Sequence, residues 1–155
     1  MKFSTKEDVE APIDFVFGEV SDFQAFERAA LRRGAEIQRL DDLHAPGVGM
    51  SWASQFKFRG RKREAKVKVT QFDRPNALAC AFETGLFQGT LDVDLVALSR
   101  HRTRLSVVSE LSPRNLTARL LMQSIKLARS STDKKFRFRV THFAKELEER
   151  HKRLG

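Results

Sequence analysis

The last third of the chain carries a single apolar stripe at helical spacing. Its members recur at three- and four-residue steps over about 27 residues, which corresponds to roughly 40 Å of α-helix. The stripe consists of Leu121, Ile125, Ala128, Thr132, Phe136, Val140, Phe143 and Leu147. Ser112 and Pro113 predict the start of this helix, and the weak helix formers at 130–133 predict a bend or local fraying. A helix this long with one apolar face needs a broad sheet to lie against.

The middle of the chain predicts that sheet, because the period between 35 and 111 changes to two. Met50, Trp52, Ser54, Phe56 and Phe58 alternate with polar residues along one strand. Turn signals at 60–61 and 74–76 separate it from further strands of the same pattern. With short strands at 2–9 and 35–40, we expect an antiparallel sheet of six or seven strands.

Two short helices are predicted after the first strand. Pro12 suits the first turn of a helix over 13–20. Ser21 and Gln24 have capping-box spacing for a second helix, and Gly34 is a typical residue just beyond a helix end. No repeat or linker interrupts the chain, so residues 1–155 are predicted to form one α+β domain.

The sequence has few features of an exported or membrane-spanning protein. No apolar run reaches the roughly 18 residues of a membrane span. The N-terminus lacks the apolar segment of a signal peptide. Cys80 is the only cysteine, so no internal disulfide can form, which favours a cytoplasmic location.

The element order and several short motifs resemble the SRPBCC superfamily of START-like helix-grip proteins. The resemblance is greatest to its bacterial polyketide cyclase/dehydrase-like branch. The motifs that carry it are Val9, Ala11–Pro12, Val16–Phe17, Val20–Ser21–Asp22, Gly49 to Trp52, Asp73–Arg74–Pro75 and Thr103–Arg104–Leu105. This resemblance implies a curved sheet around the long helix, with a cavity for an apolar ligand, and it implies no fixed set of catalytic residues.

The inward residues of the strands and of the helix stripe are the candidate ligand-binding residues. They are Trp52, Ser54, Phe56, Phe58, Val67, Val69, Cys80, Phe82, Leu91, Val93, Leu121, Ile125, Ala128 and Phe136. The leading hypothesis is that they bind a lipid-like or aromatic small molecule. Such pockets are mainly apolar with few polar groups. The alternative is a filled core in which the same residues pack only against each other.

No catalytic, metal-binding or cofactor-binding set is predicted. The four histidines have no partner at metal-ligand spacing, and Cys80 has no histidine placed near it. A cyclase, dehydratase or hydrolase acting inside the cavity remains an alternative. It requires an inward acid or base, for which Glu83 and Glu110 are the borderline candidates.

A third alternative is an interaction module for nucleic acid, the ribosome or another anionic surface. Residues 1–50 hold 6 Lys or Arg against 10 Asp or Glu, whereas residues 51–155 hold 23 against 10. The cations concentrate in two groups, in the predicted hairpin around residues 57–68 and along the terminal helix at 126–139. Such groups attract phosphates without reading a base sequence.

Overall fold

The computed structural model describes all 155 residues as seven strands and four helices. In chain order these are β1 (Lys2–Val9), α1 (Ile13–Val20), α2 (Phe23–Arg32), β2 (Glu36–Arg39), β3 (Ser51–Phe58), β4 (Arg61–Asp73), β5 (Ala77–Thr84), β6 (Phe87–Ser99), β7 (Arg102–Pro113), α3 (Leu116–Leu127) and α4 (Arg129–Leu154). The strands form one antiparallel sheet in the order β1-β7-β6-β5-β4-β3-β2. This arrangement confirms the predicted helix-grip α+β fold. None of the helices combines the length and the hydropathy needed to cross a membrane.

The β3–β4 hairpin shows how a tight turn sets the register. Phe58 pairs with Arg61, so only Arg59 and Gly60 form the loop. Both have positive φ, 53° and 75°, as a type I′ turn requires for two antiparallel strands to twist correctly. The register places Trp52 opposite Val67 on one face and Lys66 opposite Ala53 on the other.

The start of α2 differs from the sequence prediction by one residue. Asp22, rather than Ser21, is the N-cap, and its side chain accepts a hydrogen bond from Ala25 N at 3.2 Å. Ser21 instead donates its hydroxyl to Phe17 O at 2.7 Å, where α1 ends. Ser21 is thereby used by the preceding helix and is unavailable to cap the next one.

The start of the terminal helical region also differs from the prediction. Ser112 and Pro113 remain in β7, paired with Gln88 and Phe87. Asn115 is the N-cap of α3 and accepts a hydrogen bond from Ala118 N at 2.9 Å.

The expected bend lies at Ala128, between α3 and α4, instead of at 130–133. Residues 130–133 are helical; the Thr132 hydroxyl donates to Ala128 O, and Asp133 pairs with Arg137 one turn further on. The predicted single long helix is therefore two helices separated by one residue.

The hydrophobic core joins α1, the end of α4 and the inner face of the sheet. Ala144 and Leu147, near the end of α4, pack with Val16 and Phe17 of α1 and with Leu105 of β7. All five side chains are almost completely buried. The tight packing of Ala144 and Leu147 fixes the C-terminal part of α4 against the sheet. The N-terminal half of α4 is thereby held at a set distance from the central strands.

Gly89 in β6 is required by a close approach within the sheet. A Cβ at this position would lie 2.2 Å from Glu110 O and 2.6 Å from Cζ of Phe82. The first of these atoms belongs to the backbone of β7 and cannot rotate away. The ring of Phe82 lies over the glycine on the paired strand β5.

We predict that Gly89→Ala destabilises the protein by about 1–3 kcal/mol, the usual cost of overpacking. The free energy of unfolding in urea measures this loss. Gly85→Ala is the matched control, since a Cβ there meets nothing within 4 Å. Equal stability of the two variants would contradict the close approach at Gly89.

Candidate functional site

A cavity of about 500 Å³ lies between the concave face of the sheet and α4. Of the 18 residues that line it, 15 are hydrophobic. The lining consists of Val20, Phe23, Phe26, Glu27, Ile37, Trp52, Ser54, Val67, Leu78, Cys80, Leu91, Val93, Leu105, Val107, Phe136, Arg139, Val140 and Phe143. Phe26, Leu91 and Arg139 are partly exposed, so the cavity opens to solvent.

The position of α4 explains why this space is open. The helix lies close to β1, where Phe3 meets Phe136 at 5.8 Å between ring centroids, and it has no comparable approach to β3, β4 or β5. On the other side, Phe26 of α2 meets Phe143 at 6.2 Å. These two aromatic contacts bridge the gap at its sides, and the space between α4 and the central strands stays unfilled.

Three polar side chains reach the cavity, and one of them is already engaged. Trp52 donates its indole N–H to Oε1 of Glu27 at 2.8 Å. Ser54 and Arg139 form no hydrogen bond or ion pair through their side chains within the protein. The site therefore offers an apolar body with a free hydroxyl and a free guanidinium.

Trp52 is held by three neighbours and forms a fixed part of the wall. The ring of Phe23 lies 5.2 Å from its own ring, and the guanidinium carbon of Arg39 lies 5.6 Å from its ring centroid. Together with the Glu27 hydrogen bond, these contacts position the indole from two elements, α2 and the neighbouring strand β2.

Arg39 is in turn fixed by Asp41. The guanidinium donates to both carboxylate oxygens, at 2.8 and 2.7 Å. The same carboxylate accepts hydrogen bonds from the backbone N–H groups of Ser51 and Leu43 at 2.8 and 2.9 Å. The Arg39 hydrogen bond and those backbone donors hold the pKa of the Asp41 carboxyl well below its ordinary value of 3.8.

Cys80 lines the cavity as a protonated thiol. Burial, with a smaller contribution from the negative charge of Asp92, raises the pKa of the Cys80 thiol. No histidine contacts it, and no cluster of metal-ligating side chains exists in the structure. The thiol therefore acts as a small apolar wall group.

Half of the residues predicted from the sequence to bind a ligand lie in this lining. They are Trp52, Ser54, Val67, Cys80, Leu91, Val93 and Phe136. Alternation placed these strand residues on the inner face, and Phe136 is the member of the helix stripe that lies opposite them.

The other half lie outside the cavity, for three different reasons. Val69 is buried in the core, and Phe82 covers Gly89. Phe56 and Phe58 are too far along β3, where Phe58 is exposed between Arg59 and Arg63 at the hairpin end. Leu121, Ile125 and Ala128 belong to α3 or to the break after it, and the helix stripe lines the cavity only further along, from Phe136 onward.

Sequence reasoning expected the two short helices at the mouth of the cavity, but it named no individual cavity residue on α2 or in the middle of α4. Phe23, Phe26 and Glu27 project from α2, and Arg139 projects from α4, into a space that strand alternation could not describe. Phe26 and Glu27 are adjacent in sequence, so a helical stripe would have assigned only one of them to the core. The spacing of Phe136, Val140 and Phe143 was available in the helix stripe and could have extended the predicted set.

The borderline acids and the basic hairpin face away from the cavity. Glu83 and Glu110 lie in a depression on the opposite face of the sheet, together with Lys66 and Lys68. Glu83 follows the inward Phe82, and Glu110 follows the inward Ser109. Because successive residues of a strand point to opposite faces, both carboxylates lie on the outer face. Neither carboxylate can reach a molecule bound between the sheet and α4.

The architecture is a helix-grip fold, and solved structures with this fold match almost the whole chain. The Zhui aromatase/cyclase from Streptomyces sp. R1128 aligns with a TM-score of 0.66 and 15% identity over 97% of this chain and 94% of its own. Protein ChR145 from Cytophaga hutchinsonii aligns with a TM-score of 0.64 and 12% identity, over 98% of this chain and 97% of its own.

A third similar structure, norcoclaurine synthase from Thalictrum flavum, aligns with a TM-score of 0.56 and 16% identity over 72% of this chain and 68% of its own. No family model and no curated protein matches the sequence. At identities this low, the likeness establishes the helix-grip fold and leaves the activity open.

We predict that Asp41→Asn destabilises the protein at neutral pH and has little effect in strong acid. The folded-state pKa is depressed, so the stabilisation is complete above the unfolded value near 3.8 and is lost as pH falls through the folded value. Urea unfolding of both proteins at several pH values measures the difference. Asp42→Asn is the control, because the neighbouring Asp42 is exposed and unpaired; a pH-independent effect of Asp41→Asn would contradict the account.

Proposed function

We propose that this protein binds an apolar small molecule, lipid-like or aromatic, in the cavity between the sheet and α4. The observation that carries the proposal is an open space of about 500 Å³ whose wall is almost entirely hydrophobic. A space of this size accommodates a ligand of drug-like dimensions. Burial of apolar ligand surface supplies about 25 cal/mol per Å², from which the costs of association are subtracted.

The polar groups of the cavity favour a ligand with one polar end. Arg139 has no ion-pair partner in the protein, and its guanidinium suits a carboxylate, a sulfonate or an enolate oxygen. Ser54, on β3, offers a hydroxyl from the opposite wall. The remaining cavity surface is apolar and favours a ligand with an aromatic or aliphatic body.

We expect Leu91→Trp to weaken binding of the fluorophore 1-anilinonaphthalene-8-sulfonate at least about tenfold, roughly 1.4 kcal/mol. Leu91 is a partly exposed wall residue, so the larger side chain can enter the cavity without displacing the core. Fluorescence titration measures the dissociation constant, and circular dichroism checks the fold.

The matched control for this prediction is Leu98→Trp, in the same strand β6 but outside the cavity lining. It should leave fluorophore binding unchanged. Equal affinities for both variants and the wild-type protein would mean that the fluorophore does not occupy the cavity, and the proposal would fail.

A second candidate function is supported by Glu27. This carboxylate lies in an apolar cavity, and only its Oε1 accepts the Trp52 hydrogen bond, which leaves Oε2 free. A fixed carboxylate in a cavity that is also lined by Arg139 can remove a proton from a carbon next to a carbonyl group, with the guanidinium available to stabilise the enolate oxygen. This would be the proton-transfer chemistry of a cyclase or dehydratase.

The apolar ketone 2-tetralone tests the second candidate without knowledge of the natural substrate. In D₂O, a catalytic Glu27 should accelerate deuterium incorporation next to the carbonyl, as followed by NMR. Glu27→Gln should remove the acceleration, whereas Glu36→Gln, outside the cavity on β2, should retain it. The expected loss is at least about 10²-fold, the usual contribution of a general base. Exchange at the buffer rate with the wild-type protein would exclude this candidate for such ketones.

A further inference from the structure

The two terminal helices carry a second apolar stripe that faces away from the sheet. Leu116, Leu120, Leu127 and Phe138 are 72%, 60%, 92% and 70% exposed. Their spacings of 4, 7 and 11 residues are all close to whole helical turns, which places them on one face. We name these four residues the outer stripe.

The outer stripe continues across the interruption at Ala128. Ala128 N donates to Ser124 O at 3.1 Å, and Thr132 N donates to Ala128 O at 3.0 Å. Helical hydrogen bonds therefore run through the break on both sides. The buried residues of α3, Ala118 and Met122, lie on the opposite side of that helix.

The surface around the outer stripe is strongly basic. Residues 114–145 contain nine Lys or Arg and one acidic residue, Asp133, which is paired with Arg137. No ion pair neutralises the remaining side chains that flank the stripe: Arg119, Lys126, Lys134, Lys135 and Lys145. Exposed leucines in a field of unpaired cations are typical of helices that lie in the plane of a membrane surface.

We propose that the outer stripe docks this protein on an anionic lipid surface. The leucines and Phe138 would enter the boundary between headgroups and acyl chains, and the flanking cations would lie at the level of the lipid phosphates. The outer stripe lines no part of the cavity, so this inference stands independently of the proposed ligand binding.

Two other occupants fit these residues less well. A second copy of the chain would bring two strongly positive surfaces together, which opposes association. A nucleic acid would be attracted by the cations, but leucine side chains neither stack on bases nor donate hydrogen bonds to them. A lipid surface can contact both the apolar side chains of the outer stripe and the cations that flank it.

Co-sedimentation with vesicles tests the docking. The protein should bind vesicles of equal parts phosphatidylcholine and phosphatidylglycerol at least about tenfold more tightly than vesicles of phosphatidylcholine alone. The triple variant Leu120→Ser, Leu127→Ser, Phe138→Ser should lose at least about tenfold of this affinity. These side chains are exposed, so the variant should keep its circular dichroism spectrum and its affinity for the fluorophore.

Two control variants separate the outer stripe from generic effects. Val96→Ser with Leu98→Ser changes apolar residues of the sheet that are 55% and 42% exposed, and should leave vesicle binding intact. Two triple variants that remove the same number of charges are also compared. The helix triple is Lys126→Gln, Lys134→Gln, Lys135→Gln, and the hairpin triple, on the β3–β4 hairpin, is Arg61→Gln, Lys62→Gln, Lys66→Gln. The helix triple should weaken binding more than about tenfold, and the hairpin triple should have a smaller effect.

Several results would overturn the proposal. They are no binding to anionic vesicles, equal losses from the helix and hairpin charge variants, and unchanged binding by the outer-stripe variant. Tighter binding to polyuridylate than to vesicles, insensitive to the leucine changes, would identify a nucleic-acid surface instead. A dimer in light scattering that the outer-stripe variant abolishes, without vesicle binding, would identify a second copy as the occupant.

Discussion

The structure depends on where the apolar side of α4 meets the curved sheet. Ala144 and Leu147 lock the C-terminal part of the helix into the core with α1 and β7. The earlier part of α4 approaches β1 but stays away from the central strands. A straight helix cannot follow both the edge and the middle of a twisted sheet. The space left between α4 and the central strands is the cavity. Its walls are apolar because the periodic spacing of apolar residues makes each helix and strand amphipathic.

Two of the three polar groups of the cavity, Glu27 and Arg139, are placed by helices outside the strand alternation. Asp41 fixes Arg39, Arg39 covers Trp52, and Trp52 donates to Glu27. This chain of contacts connects the loop after β2 to α2 across the wall. Arg139 stands apart from it, with no partner in the protein. The proposed binding and the proposed proton transfer would therefore use the same site, and the chemical nature of the ligand would decide between them.

The fold was predictable because it depends on the periodic spacing of apolar residues along the chain. The prediction failed only at individual positions, such as a helix break and single cavity residues. Alternation in β3 to β7 identified Val67, Cys80, Leu91 and Val93 as inward residues, and Pro12 and Gly34 marked helix boundaries. The one-residue interruption at Ala128 could not be predicted, since it depends on the Asn115 cap and on how α3 leaves β7. Leu121 and Ile125 lie on α3, before that interruption, and neither lines the cavity. Glu27 and Arg139 were missed because their role arises from three-dimensional proximity, which sequence spacing does not encode.

The central claim is that the space under α4 admits an apolar molecule, and NMR of methyl-labelled protein tests it most directly. On titration with naphthalene, the methyl signals of Val67, Leu91, Val93 and Val140 should shift together and saturate. The signals of Val96 and Leu98 on the outside of the sheet should stay in place. Shifts spread over the surface without saturation, or no shift at the four cavity residues, would contradict the account.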